Sequence, residues 1–181
     1  MGGTVISTNN LSETAVIADA RFVFRHPAHF LAFGFGSGLA PIAPGTAGTL
    51  AAIPLVVALD LMLPSLAAQF LVLLLVVMVG VVTCDITSRN LKVHDHSGIV
   101  IDEFAGYLLT MICFPAHWLY YLLGFVFFRL FDIWKPYPIG WCDRRVSGGI
   151  GIMVDDLLAG IYAAICLFFV SQSAWFAQLV N

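Results

Sequence analysis

The chain has 181 residues, of which 60% are hydrophobic and only 10% charged, with a mean hydropathy of +0.95. A soluble domain carries about a quarter charged residues, so this composition excludes a water-coated globule. It predicts an all-α integral membrane protein, with one embedded domain over residues 21–181. The net charge of −3 comes without a basic stripe, which argues against a nucleic-acid partner.

Residues 1–20 lack the basic, apolar, small-residue order of a secretory signal and read as a weakly structured cytoplasmic leader. After Arg21 and Arg25, the segment 29–50 is apolar but interrupted by five glycines and two prolines. It is too broken for a plain span. Irregular backbone at membrane depth is tolerated only where protein or a polar cavity covers it. The expectation is a short helix at about 27–35, then a glycine-rich re-entrant loop. Gly45, Thr46 and Thr49 open the first long helix, about 46–63, where free backbone N–H groups suit a phosphate. Glycines and prolines also mark ordinary turns, and the lysine of a P-loop is missing.

A second helix is expected over about 67–86, with Asp60 at the far end of the first as a structural acid. The loop 87–100 carries Arg89, Lys92 and the cluster His94-Asp95-His96, which reads as solvent-facing and is held outside the site. Asp102 and Glu103 open a third apolar segment, about 100–114. A fourth, about 117–134, contains Arg129 and Asp132 and stops before Pro136, because proline disfavours helix in the residue ahead of it. The loop 135–151 follows with Lys135, Arg144 and Arg145. Asp155 and Asp156 then open the fifth helix, which runs to Val170 without another charge. The four cysteines, Cys84, Cys113, Cys142 and Cys166, show no zinc spacing, and three of them lie in or beside apolar runs, where a reduced thiol is an ordinary small core residue.

All eight Lys and Arg residues fall in the N-terminal arm, the loop 87–100, or the end of the fourth helix and the loop after it. The positive-inside rule then favours about five transmembrane helices with a cytoplasmic N-terminus. Asp102, Glu103, Arg129, Asp132, Asp155, Asp156 and the glycine loop would converge on that face. An acid near the bilayer centre costs roughly 2.5–3.5 kcal/mol. Adjacent carboxylates about 4–5 Å apart repel by roughly 4 kcal/mol at an effective dielectric near 20, so a proton or a cation is expected between them. Acids at helix N-termini also simply meet the dipole, and Arg129 with Asp132 also makes an ordinary i, i+3 pair. Five acids nonetheless exceed what Arg129 and Lys135 neutralise. Mg²⁺ bound by carboxylates, waters and a substrate phosphate removes the excess. Acids for a metal, bases for a phosphate and a glycine loop describe metal-assisted phosphoryl chemistry. Attack by an activated water is the preferred mechanism, with a phosphoenzyme left open.

The stretches FGFGSGLAPIAPGTAGTL (33–50), IVIDEFAG (99–106), FRLFDIWKPYPI (128–139) and GGIGIMVDDLLAG (148–160) resemble the phosphatidylglycerophosphatase A family. The resemblance implies a Mg²⁺-dependent enzyme of the bacterial inner membrane, with its active site on the cytoplasmic side. That enzyme would convert phosphatidylglycerophosphate to phosphatidylglycerol. It places Asp102, Glu103, Asp132, Asp155 and Asp156 at the family's acidic positions, which become candidate metal ligands. Asp132, Asp156, Arg129 and Lys135 are the catalytic candidates. Gly45, Thr46, Thr49, Arg129 and Lys135 are the phosphate-binding candidates, with Thr49 standing where serine is common. Two other classes fit less well. An ion-coupled transporter needs acids near mid-membrane and a repeated architecture, and an intramembrane aspartyl protease needs a GxGD motif, whereas Gly149-Ile150-Gly151 is followed by Ile152.

Overall fold

The computed structural model describes residues 17–93 and 96–180. Most of the predicted leader, and His94 and Asp95 of the loop cluster, lie outside the described residues. Among those described, every regular element is helical: α1 (Ala20–Arg25), α2 (Pro27–Ala32), a 3-10 segment (Gly34–Leu39), α3 (Pro44–Met62), α4 (Leu66–Leu91), α5 (Ile101–Met111), α6 (Trp118–Trp134), α7 (Ile139–Arg145), α8 (Gly148–Ser171) and α9 (Ala174–Val180).

Local chemistry sets these ends. The Asp19 carboxylate accepts from the Phe22 N–H at 2.8 Å and caps α1, and His117 Nδ1 accepts from the Leu119 N–H at 3.2 Å and caps α6. At the other ends, Lys92 and Lys135 stop α4 and α6 in the left-handed conformation, with φ of 57° and 45°. The 3-10 segment turns sharply at Phe35 and Gly36, where φ is 58° and 96°. It lies against the strip before α5, so closely that a Cβ on Gly38 would strike the Gly98 carbonyl. What the sequence suggests is a re-entrant loop is thus a folded corner beside residues 96–100, with the Val100 N–H donating to the Ala32 carbonyl at 2.8 Å.

Three helices, α3, α4 and α8, are long and apolar enough to cross a membrane. The expected third segment is shorter than its apolar run. At 11 residues, α5 rises only about 16 Å, roughly half the hydrocarbon thickness. Other boundaries also move. The expected second helix, α4, continues to Leu91 rather than ending at about 86, and the loop 135–151 contains α7. The fifth helix starts at Gly148, so Asp155 and Asp156 lie two turns inside α8 rather than at its mouth.

The central element is α8, which packs on α4, α5, α6 and α7. It meets α5 backbone to backbone. A Cβ on Gly106 would stand 2.7 Å from the Asp156 carbonyl oxygen, and one on Gly160 would strike the Gly106 carbonyl. Small residues let helix backbones meet in this way. Thr110 Oγ1 donates to the Gly106 carbonyl at 2.9 Å and approaches the Gly160 carbonyl at 3.3 Å across the crossing. The opposite end of the bundle has its own polar clasp. Asp60 accepts from the Tyr121 hydroxyl at 2.7 Å and from Gln69 Nε2 at 3.1 Å, which fits the structural role read for it.

Candidate active site

The glycine crossing decides what stands beside what. Asp102 lies one helical turn before Gly106 on α5, and Asp156 lies one turn before Gly160 on α8. Drawing the two backbones together therefore stacks the acidic turns. Oxygens of Asp102, Glu103 and Asp156 all come within 4.8 Å of one another. At an effective dielectric near 20, each such pair repels by roughly 3–4 kcal/mol. Glu103 and Asp156 are also buried. Glu103 Oε2 and Asp156 Oδ2 have no hydrogen-bond partner, an arrangement that buried polar atoms rarely keep.

Successive helix positions differ by about 100° in direction, so the neighbouring aspartates face different partners. Both still line one cavity, but their nearest partners differ. Asp156 joins the α5 acids. Asp155 accepts from Lys135 Nζ at 2.6 Å, and the same ammonium donates to Asp143 at 2.8 Å. Burial alone would lower the pKa of Lys135, but the hydrogen bonds and charges of Asp143 and Asp155 raise it overall. The side chain thus stays charged, and two of its three donors are engaged.

Arg129 closes the other side. Its Nη1 lies 2.5 Å from Asp132 Oδ2 and 3.5 Å from Glu103 Oε1, while its buried Nε has no hydrogen-bond partner. Gly45, in the first turn of α3, packs so near that a Cβ would strike Glu103 Oε1 and come within 3.1 Å of Arg129 Nη1. Its missing side chain leaves room for this pair.

These groups line a cavity of about 250 Å³ together with Ala43, Pro44, Ser97, Ile99, Asp102, Asp132, Lys135, Asp155 and Asp156. Thr46 and Thr49 are not on its wall. Thr49 is fully buried and donates its hydroxyl to the Gly45 carbonyl at 2.9 Å, the i−4 back-bond common for threonine in helices. His96 is also off the wall, its Nδ1 accepting from the Gly98 N–H at 3.0 Å. The sequence reading missed Asp143 as the second partner of Lys135. It sits beside Arg144 and Arg145, which made that segment read as basic. The pairing crosses the turn between α6 and α7, where helical spacing gives no guide.

The chain matches the family described as Phosphatidylglycerophosphatase A over residues 30–171. It belongs to the phosphatidylglycerophosphatase A family. It is 46% identical over 157 residues to Phosphatidylglycerophosphatase A of Escherichia coli, spanning 86% of this chain and 90% of that one. The Haemophilus influenzae protein of the same name is 44% identical over 144 residues, 79% of this chain and 88% of the relative. A Bacteroides thetaiotaomicron protein provisionally named a phosphatidylinositol-3-phosphatase is 36% identical over 140 residues, 74% of this chain and 87% of its own. No solved structure matches the chain. The family match takes in all five carboxylates expected from the sequence, together with Arg129 and Lys135.

Proposed function

We propose that the protein is a Mg²⁺-dependent lipid phosphatase that hydrolyses phosphatidylglycerophosphate to phosphatidylglycerol and inorganic phosphate. The observation carrying this reading is the convergence of Asp102, Glu103 and Asp156, whose oxygens come within 4.8 Å of one another beside the Arg129 guanidinium. Two of the three relatives are named for this activity, at 46% and 44% identity. The third, more distant at 36%, is named for a different lipid phosphate, so the glycerophosphate headgroup rests on the nearer pair.

The donor set suits the ion. Hard carboxylate oxygens are the ligands Mg²⁺ takes, at about 2.0–2.1 Å. The three oxygens lie within 4.8 Å of one another, near enough for one ion to meet all of them. Asp102, Glu103 and Asp156 would hold the ion. When bound, it supplies the positive charge that polarises a phosphoryl group and offsets charge in the transition state.

The remaining steps belong to the side chains. Arg129 offers its free Nε–H to a phosphoryl oxygen, a charge-assisted bond stronger than a neutral one. Asp132, fixed by the same guanidinium, is placed to accept the proton of an attacking water. The new phosphorus–oxygen bond forms to that water as the bond to the glycerol oxygen breaks, and the departing alkoxide takes a proton from solvent. Lys135 holds Asp155 and Asp143 and lines the cavity, where its third donor would add a point charge for the phosphate.

The setting we infer is a bacterial inner membrane, with the site facing the cytoplasm and five passes in all. All eight Lys and Arg residues belong to elements at the cavity end of the bundle, the cytoplasmic end by the positive-inside rule. The short α5 would complete its pass through the apolar residues 112–116.

The test uses purified protein in detergent with phosphatidylglycerophosphate and phosphatidylinositol 3-phosphate side by side. Inorganic phosphate should be released from the first at a rate at least 10-fold above the second. EDTA should abolish release and Mg²⁺ restore it. Undiminished turnover in EDTA contradicts the metal, and preference for the inositol lipid contradicts the substrate.

A further inference from the structure

Arg129 borders two spaces. On one side it lines the acidic cavity, and on the other it lines a shallow groove of about 580 Å³ that lies open along one face of α6, with Val126, Leu130, Ile133 and Trp134. These residues recur at the three- and four-residue spacing of one helical face. The four apolar members are between 47% and 71% exposed. Exposed leucines also cover α4, as the bilayer requires. What distinguishes the α6 groove is that Arg129 borders both it and the cavity, where Nη1 meets Asp132 and Glu103.

We propose that this groove seats the acyl chains of the lipid substrate, so that the phosphate enters the cavity sideways from the bilayer past Arg129. The inference rests on the lipid phosphatase reading above and deepens it. A diacylglycerol-borne phosphomonoester has the matching chemistry, with long apolar chains for Val126, Leu130 and Ile133 and an anionic head for Arg129. Two features complete the fit. The Arg129 side chain is 14% exposed, so it is largely enclosed while still bordering both spaces. Trp134 lies at the C-terminal end of α6, at the level where amphipathic rings sit beside lipid headgroups.

The direct test is photolabelling of the wild-type protein in EDTA with a phosphatidylglycerophosphate carrying a diazirine in one acyl chain. The label should concentrate in residues 126–134 and be chased by unlabelled substrate. Label on α3 or α4 instead, label that excess substrate fails to chase, or a protein–protein cross-link through this face from a second copy would overturn the proposal. The companion measurement compares Leu130→Trp, which fills the groove, with Leu74→Trp on the exposed face of α4. Leu130→Trp should lower kcat/KM for the long-chain substrate about 10-fold, mainly through KM, and Leu74→Trp should leave it unchanged. Equal behaviour of the two variants would count against the groove. Phosphate release by the unmodified enzyme, measured first, separates the two levels. If release fails, the phosphatase reading is wrong; if it stands while the label lies elsewhere, only the groove is wrong.

Discussion

Asp156→Asn is expected to lower phosphate release at least 100-fold while the protein remains folded. Loss of a group that merely orients a metal ligand typically costs 10–100-fold, and Asp156 is read as a ligand itself. Asparagine keeps the size of the side chain but removes a buried negative charge that lies within 4.8 Å of Asp102 and Glu103. In the absence of metal the variant should therefore melt no lower than wild type, since two repulsive pairs are relieved. Near-normal turnover at limiting Mg²⁺ would reduce Asp156 to a packing residue.

Gly160→Val should have nearly as large an effect for a different reason. Its side chain would be built into the Gly106 carbonyl, and backbone cannot swing aside as a flexible side chain can. The helices must separate, and the acidic turns one step along each helix separate with them. Overpacking of this kind typically costs about 1–3 kcal/mol. The melting temperature should fall and phosphate release should drop at least 10-fold, with Gly160→Ala intermediate in both. Full activity in the valine variant would show that the α5–α8 crossing does not set the cluster.

Much of the candidate site was legible because membrane insertion makes charge expensive. In so apolar a chain, Asp102, Glu103, Asp132, Asp155 and Asp156 stand out without any spatial information, and the distribution of lysine and arginine orients them to one end. Their partners were less legible. Sequence adjacency suggests that Asp155 and Asp156 share a cation, whereas helix geometry turns one to Lys135 and the other to α5. The glycine-rich stretch was visible, but the contacts of its residues were not. Gly45 makes room for Glu103 and Arg129, and Thr49 spends its hydroxyl on its own helix. The glycines that matter most to the cluster, Gly106 and Gly160, lie inside apolar runs. Only the crossing of the two helices reveals what their missing side chains permit. The length of α5 was also hidden, since apolar residues continue past Met111 although the helix stops.

The most direct measurement is binding of Mn²⁺, which favours the same oxygen ligands as Mg²⁺, followed by electron paramagnetic resonance in detergent. Wild-type protein should bind it saturably, Mg²⁺ should displace it, and the combined Asp102→Asn, Glu103→Gln, Asp156→Asn variant should lose that binding while remaining folded. Saturable binding that survives in the triple variant, or its absence from the wild type, would contradict the account.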